Sequence, residues 1–502
     1  MNVNGSAELD ALEVLAARAE SMVPYAEPSL AAWRAAAEKC RQCGDLGSLA
    51  GEGALESLAW ELRSAWLRIA HDATVDLIMS PPHEASKFMP SGTRFQFDYE
   101  RSNRPEILER RGLRRRPLKG WIESCHLYSS GMAAIAALLH VCCARLHGPI
   151  AEKPVQMDMF GGYFETWRLL DTIHDAVMRV EYLTSGTEFE NRIARGMTDI
   201  VVLEPVAYDW DMTVFDLDRF AQAWSAAGDS HLRLVIVDTS LTGDTFTMET
   251  LLPAFGNRLP WMVAFVRSGL KLDQEGLELS NVGVVNVFVP EGDVSPVSAD
   301  RLRERLIVHR GISGGALTVN QTAALEAPWF LDPDCFARHA SRVFANNAAL
   351  AEAIRLKGGI FSRVNHPALS PKADLAWAVS PFVVLHLSED AASDCGKVVA
   401  ILVHEARRRG LNFDLASSFG FRGDRFEIIR PLVQIREHGE SAGLLKIAMG
   451  SRGGPTQAEV VRLVNDIAAY PDWSVLRDQY AQVPAYVKSG FGVYVEKPPR
   501  PK

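Results

Sequence analysis

Small polar residues open one apolar helical pattern in a way that could bind a phosphate. Ser129, Ser130 and Gly131 precede the run MAAIAALLHV, and the first backbone N–H groups of a helix have no partner within it. These groups and the helix dipole favour an anion at that end. Taken alone, this segment is weak support for a phosphate site, because Ser and Gly cap helices in many proteins.

A carboxylate ends an apolar run further along the chain. Asp238 closes the stretch VIVD, where a buried carboxylate without a partner would be costly. The protonated nitrogen of a pyridine ring would be a suitable partner. A helix cap or an ion pair with a nearby Arg is the alternative explanation.

A lysine follows the next such run through a short polar turn. Lys271 ends VAFVRSGLK, and a Lys at a strand end beside a sheet crevice can be desolvated and made nucleophilic. Most lysines are simply solvated, so Lys271 is a candidate nucleophile only in combination with the other two segments. Together the three segments could serve one phosphorylated, aromatic cofactor.

The elements that must position these residues alternate along the middle of the chain. Short β-rich runs, TDIVVLEPV, LRLVIVDTS, WMVAFVRSG and VGVVNVFV, alternate with helical patterns. This predicts βαβ units and a mainly parallel sheet, at whose strand ends ligands usually bind. We predict an α/β fold with a helical N-terminal extension at 1–88, a large α/β domain at 89–320 and a smaller α+β domain at 321–502.

Composition limits the possible partners. The formal charge of −9 disfavours nucleic acid, because phosphate-backbone binding needs clustered Lys and Arg. No apolar run approaches the length of a membrane span, and the first residues lack a signal-peptide pattern. We therefore expect a cytoplasmic protein that binds neither nucleic acid nor membrane. The lone CxxC at Cys40 and Cys43 has no second pair at zinc spacing, so no metal site is expected.

The order of these segments resembles that of the fold-type-I enzymes that use pyridoxal 5′-phosphate (PLP). Within them the chain resembles the Cys/Met-metabolism family, which includes cystathionine γ-synthase, cystathionine lyases and methionine γ-lyase. SSGMAA resembles the family's phosphate turn, VDTS its Val-Asp-Asn-Thr and SGLK its Ser-Ala-Thr-Lys. Further likeness lies in YERSNRP, YFETWRLL, VVLEPVAYD, ASSFG and LLKIAMGSR, between about residues 95 and 455. The resemblance implies a central sheet of the seven-stranded type.

The resemblance also implies roles around PLP. Lys271 would hold the cofactor as a Schiff base and move the substrate Cα proton, and Asp238 would pair with the pyridinium nitrogen. Tyr163 would stack on the ring and is a candidate acid for the leaving group, while Tyr208 replaces an Asn beside the phenolic oxygen. The residues implied for phosphate binding are Ser130, Gly131, Met132 and Ser268.

Assembly is implied by the segment before the phosphate turn. In the family, the residues corresponding to Tyr99 and Arg101 reach the phosphate of a neighbouring subunit. A homodimer or homotetramer with shared active sites follows as the expectation.

The substrate side departs from the family pattern. Ser418 would help to hold the substrate carboxylate, but Lys446 stands where the family has Arg, and a Lys offers a point charge in place of a bidentate fork. Arg452 or Arg436 could take that duty instead. At 164 and 165 a Phe and a Glu replace two glycines. These departures indicate a divergent member with its own substrate, in specialised metabolism.

The predicted function is therefore elimination or replacement of a γ- or β-substituent of a small amino-acid substrate, as in a γ-lyase that forms an unsaturated amino acid. An aminotransferase or a decarboxylase on the same fold is the second possibility, because PLP supports all three chemistries. A non-catalytic binding or regulatory module is the third. The presence of both Lys271 and Asp238 counts against that third possibility.

Overall fold

The N-terminal part of the chain forms three helices that pack on the rest of the protein. The computed structural model describes residues 5–23, 28–42, 44–82, 85–97, 99–143, 154–173, 178–183, 185–209, 211–227, 234–292, 294–429, 443–489 and 493–496. The first helices are α1 Gly5–Met22, α2 Pro28–Gln42 and α3 Leu49–Asp72. The buried residues of α3, among them Leu62, Ala65, Trp66 and Ile69, recur at the spacing of one helical face. The Trp66 indole donates a hydrogen bond to the carbonyl of Ala324 at 2.7 Å, which joins α3 to the main body.

A seven-stranded sheet forms the centre of the molecule. A two-stranded hairpin, β1 Ala85–Phe88 and β2 Arg94–Phe97, precedes it. The sheet strands are β3 Trp121–Tyr128, β4 Val155–Phe160, β5 Met178–Leu183, β6 Ile200–Leu203, β7 Leu234–Asp238, β8 Met262–Ser268 and β9 Gly283–Pro290. Their order is β3-β9-β8-β7-β6-β4-β5. Only β9 runs against its neighbours, so the sheet is mainly parallel, as predicted.

A hydrophobic core covers each face of this sheet. The central strands can be buried on both sides because they are apolar at nearly every position. In β7, Val235 and Val237 point into one hydrophobic core, and Leu234 and Ile236 into the other. Such unbroken Val- and Ile-rich runs are typical of strands buried on both sides. The helices of this part are α4 Glu106–Arg111, α5 Gly131–Leu138, α6 Phe164–Ile173, α7 Gly186–Ala194, α8 Leu217–Ala226, α9 Met248–Leu251 and α10 Ala299–Ser313.

A second, smaller sheet follows in the C-terminal part. Its strands are β10 Phe361–Asn365, β11 Val383–Leu387, β12 Phe413–Leu415, β13 Asp424–Ile429 and β14 Leu444–Ala448, in the order β10-β11-β14-β13-β12. The further helices of the described residues are α11 Val319–Leu325, α12 Pro333–Ala353, α13 Glu389–Ser393, α14 Cys395–Arg409, α15 Pro455–Ala468 and α16 Trp473–Gln479. A short hairpin, β15 Val487–Lys488 and β16 Tyr494–Val495, lies near the end.

The predicted fold class is therefore confirmed, with its helical N-terminal extension, mainly parallel central sheet and smaller α+β part. The domain limits at 88 and 320 stay a prediction. Every helix in the described ranges is either too short or too polar to span a bilayer.

Candidate active site

Two neighbouring parallel strands bring the predicted carboxylate and lysine to the same edge of the sheet. Asp238, the last residue of β7, pairs with Val266 of β8. The chain leaves β8 at Ser268 and turns at once, with the N–H of Lys271 donating to the Ser268 carbonyl at 3.2 Å. Because the carboxyl ends of parallel strands meet at one edge, both side chains emerge where ligands bind in such sheets.

The Lys271 amine lies in a partly buried position against the smaller sheet. It donates a hydrogen bond to the Ser418 hydroxyl and lies 5.2 Å from the centre of the Phe419 ring. Burial, helped by the positive charge of Lys446, lowers the pKa of Lys271 to about 8. A larger fraction of this amine is therefore neutral near pH 7 than of an exposed lysine, which makes it a better nucleophile.

Among the described residues, Asp238 has few hydrogen-bond partners for a carboxylate at the end of a buried strand. The Ser240 N–H donates to it at 2.8 Å. Burial raises the pKa of Asp238, and hydrogen bonds from Ser240 oppose that rise. A positively charged N–H group from a ligand would stabilise the ionised form.

The predicted phosphate turn lies beside the end of β8. The Ser130 hydroxyl caps α5 by accepting from the Ala133 N–H at 3.1 Å. The N–H groups of Gly131 and Met132, in the first turn, have no partner within the helix. A Cβ placed on Gly131 would lie 3.4 Å from the Cβ of Ser268. Ser130, Gly131, Met132 and Ser268 are thus brought together.

Tyr163 and Tyr208 lie together on the next part of this edge. Their ring centres are 5.5 Å apart in an edge-to-face arrangement. The Tyr163 hydroxyl donates to a Glu165 carboxylate oxygen at 2.5 Å. Burial and this carboxylate hold the pKa of Tyr163 well above its ordinary value, so the side chain stays a phenol.

A buried carboxylate that sequence reasoning missed holds the two tyrosine loops in place. Glu204 accepts hydrogen bonds from the N–H groups of Gly162 at 3.2 Å, Tyr163 at 3.1 Å and Tyr208 at 2.6 Å. Burial and the charge of Asp238 raise the pKa of Glu204 to about 8. The available signal was an acidic residue at the end of the apolar run VVLE.

Lys446 reaches the same site from β14, but its charge is already paired. Its amine forms an ion pair with Glu427, which is its cross-strand partner on β13, and lies 3.4 Å from the Tyr208 hydroxyl. Although burial disfavours the charged form, Tyr208 and Glu427 keep the pKa of Lys446 above its ordinary value. Glu427 also accepts from the Ser418 N–H at 3.3 Å.

Sequence reasoning missed Glu427 too, because its role depends on strand register. The residues that these contacts join form the Lys271 group. Its members are Tyr163, Tyr208, Lys271, Ser418, Phe419, Glu427 and Lys446.

Other candidate residues lie elsewhere. The guanidinium of Arg452 faces Glu52 and Glu56 of α3, at 3.4 and 3.3 Å, and Arg436 lies outside the described residues. Tyr99 and Arg101 stack on each other at 4.8 Å and line a surface cavity of about 490 Å³. Their contacts in the described part of the chain do not reach the Lys271 group.

Comparison with known proteins identifies the fold. No protein-family model matches the sequence, and no curated protein matches it either. Solved structures do resemble it. Apo CalE6, a methionine gamma lyase from Micromonospora echinospora, has a TM-score of 0.53 and 18% identity, with 80% of this chain and 98% of that chain covered. Cystathionine gamma synthase from Xanthomonas oryzae pv. oryzae, in complex with cystathionine, has a TM-score of 0.54 and 19% identity, with 81% and 99% covered.

The metB structure from Corynebacterium glutamicum is similar at a TM-score of 0.54 and 16% identity, with 80% of this chain and 98% of that chain covered. The chain therefore has the fold-type-I architecture. More narrowly, its fold is that of a methionine γ-lyase and a cystathionine γ-synthase, which confirms the resemblance in fold.

Proposed function

We propose that this protein is a PLP-dependent enzyme that eliminates or replaces a γ- or β-substituent of a small amino acid. The observation that carries the proposal is the Lys271 amine, which is partly buried, lowered in pKa to about 8 and held at Ser418. It stands at the same sheet edge as Asp238, in a fold that a methionine gamma lyase and a cystathionine gamma synthase also have.

The residues of this edge fit PLP. Lys271 would hold it covalently, and Asp238, whose pKa is raised by burial, would gain a cationic partner in the ring nitrogen. Ser130, Gly131, Met132 and Ser268 would bind the phosphate, and Tyr163 and Tyr208 would contact the ring. When bound, PLP supplies an electron sink for negative charge at the substrate Cα.

Lys271 is suited to move the substrate protons. With a pKa lowered to about 8, its free amine would be able to take up a proton as a base and give it back as an acid. Reaction at Cγ requires proton removal first at Cα and then at Cβ. A flexible lysine on one face of the substrate can reach both positions.

Tyr163 is the candidate acid for the leaving group. Its raised pKa keeps the proton on the phenol, and that proton now points to Glu165. Donation to a leaving group would turn the hydroxyl away from Glu165 and toward the substrate. The bulk of Phe164 and the charge of Glu165 support a substrate different from those of the family, in specialised metabolism.

The substrate carboxylate would be held by Ser418 and Lys446. Because Lys446 is paired with Glu427, the carboxylate meets an ion pair in place of a free cation. When the substrate carboxylate binds, the Lys446 amine would have to contact both carboxylates or leave Glu427. This supports a binding geometry unlike that of a bidentate Arg.

Assembly into a homodimer or homotetramer belongs to the same proposal. Tyr99, which is 39% exposed, and the exposed Arg101 lie where they could reach the phosphate of a neighbouring subunit. The absence of contacts between them and the Lys271 group, as far as the structure describes the chain, supports this role.

An amino-acid screen in deuterated water tests the reaction. We expect a visible absorbance of protein-bound PLP that responds to the substrate, together with loss of a γ- or β-substituent. Deuterium should enter Cα of the amino acid that is recovered or formed and, for a γ-substituent, Cβ as well. Stoichiometric pyridoxamine phosphate with a keto acid that keeps its substituent would overturn the proposal in favour of transamination. A protein that takes up no PLP would contradict the proposal and favour the non-catalytic binding or regulatory module.

A further inference from the structure

The first helix of the chain reaches the neighbourhood of Lys271 through a buried carboxylate. Glu8 of α1 is 3% exposed, and Arg422 is 5% exposed. One oxygen of Glu8 accepts from Nε of Arg422 at 2.9 Å and from its terminal NH2 group at 2.7 Å. Loss of one partner from a buried charged pair leaves the other uncompensated, so this contact constrains both elements.

Arg422 connects three segments that are distant in sequence. Its other terminal nitrogen donates to the Glu275 carbonyl at 3.1 Å and lies 3.4 Å from a Glu275 carboxylate oxygen. Glu275 belongs to the segment that follows Lys271. Arg422 thereby links α1, the segment 271–278 and the loop 416–423.

The loop 416–423 carries the residues that touch the Lys271 amine. Ser418 and Gly420 both have positive φ, at 77° and 80°. A Cβ on Gly420 would lie 3.1 Å from the backbone carbonyl of Lys271, so the loop and the lysine are in close contact. The Gly420 carbonyl is also paired with the buried His339 ring at 2.8 Å. A non-glycine residue in the left-handed region is held there by its surroundings.

We propose that α1 is a positioning element of the active site, in which Glu8 acts through Arg422 to keep the Ser418 hydroxyl and the Phe419 ring at the Lys271 amine. The importance of this positioning for catalysis rests on the proposed function of Lys271. The contact itself is a property of the protein without cofactor, and it can be tested there.

The variant Glu8→Gln tests the proposal because it keeps the shape and removes the charge. Arg18→Gln is the matched control. Arg18 lies on the same helix and pairs with Asp332 at 3.2 Å, and its contacts within the described residues do not include the loop 416–423. Glu8→Asp, which keeps the charge on a shorter side chain, provides a milder change if Glu8→Gln does not fold.

The readout is the pH dependence of covalent acetylation of Lys271 in the cofactor-free chain, followed by mass spectrometry. The charged groups that act on this amine, Lys446, Arg425, Glu278 and Glu427, are unchanged in every variant. Burial is the largest cause of the lowered pKa. Withdrawal of the loop should therefore raise the midpoint from about 8 by about half a pH unit or more.

We expect that rise in Glu8→Gln, or a smaller rise in Glu8→Asp, and an unchanged midpoint in Arg18→Gln. A folded Glu8→Gln with an unchanged midpoint would overturn the proposal. Equal rises in Glu8→Gln and Arg18→Gln would also overturn it, because they would report general loosening of α1. Failure of the proposed function would appear separately, as PLP that does not attach to Lys271 in the unmodified protein.

Discussion

The Lys271 amine donates a hydrogen bond to the hydroxyl of Ser418, although the two residues are 147 positions apart in the sequence. Lys271 lies between β8 and β9 of the central sheet, and Ser418 lies on the loop between β12 and β13 of the smaller sheet. Their contact joins the two sheets at the candidate active site.

Replacement of Lys271 should abolish the attachment of PLP. Lys271→Ala removes the only group proposed to hold the cofactor covalently, so protein-bound absorbance and turnover should both be lost while the fold remains. Lys39→Ala, which changes an exposed lysine of α2, is the control and should behave as the unmodified protein. Unchanged absorbance in Lys271→Ala would show that another residue holds the cofactor.

The rate of PLP attachment should depend on pH with a midpoint set by Lys271. Its pKa is lowered to about 8, and only the neutral amine attacks, so the rate should rise about tenfold per pH unit below that value and level off above it. Lys446 lowers this pKa, and Lys446→Met should therefore move the midpoint upward. Stopped-flow absorbance measures both profiles, and a rate independent of pH between about 6 and 9 would contradict the assignment.

Loss of the Lys446 charge should weaken substrate binding. Lys446→Met removes a charge-assisted hydrogen bond to the carboxylate, worth about 1.5–3 kcal/mol, so KM should rise by roughly one to two orders of magnitude while PLP affinity changes little. It also leaves Glu427 without its partner. The double variant Lys446→Met/Glu427→Gln removes that second effect and should keep the raised KM. A normal KM in the double variant would exclude Lys446 from the carboxylate site.

Loss of the Tyr163 hydroxyl should remove the acid that protonates the leaving group. Burial and the Glu165 carboxylate raise the pKa of Tyr163, so the side chain stays a phenol throughout the pH range of an activity assay. Tyr163→Phe should therefore lower turnover by about 10²–10⁴-fold, as for a missing general acid, at every pH in that range. Glu165→Gln keeps the phenol and is the control, with a smaller loss. Unchanged turnover in Tyr163→Phe would rule out Tyr163 as the acid.

Mixed assemblies test the sharing of active sites between subunits. Inactive Arg101→Ala and Lys271→Ala chains should recover part of the activity after subunit exchange, because one hybrid site would contain both native residues. Lys271→Ala mixed with Asp238→Asn is the control and should stay inactive, since both residues belong to the same chain's site. No recovery despite proven exchange would argue against shared sites.

Sequence patterns alone predicted four neighbouring strands of the central sheet, β6 to β9, and the residues at the carboxyl ends of β7 and β8. Asp238 and Lys271 each follow an apolar β-run, and neighbouring parallel strands necessarily end at the same edge, so their proximity could be predicted. The small residues around Gly131 likewise signal a helix start through local chemistry.

Tertiary structure decided the partners of the charged residues. Arg452 lies near Lys446 in sequence but pairs with Glu52 and Glu56 of α3, and Lys446 pairs with Glu427 through the register of β13 and β14. Period and spacing determine which face of an element is buried, because those patterns are local. Which buried charges meet depends on how distant elements dock, and a buried charge must find its partner wherever the completed fold provides one.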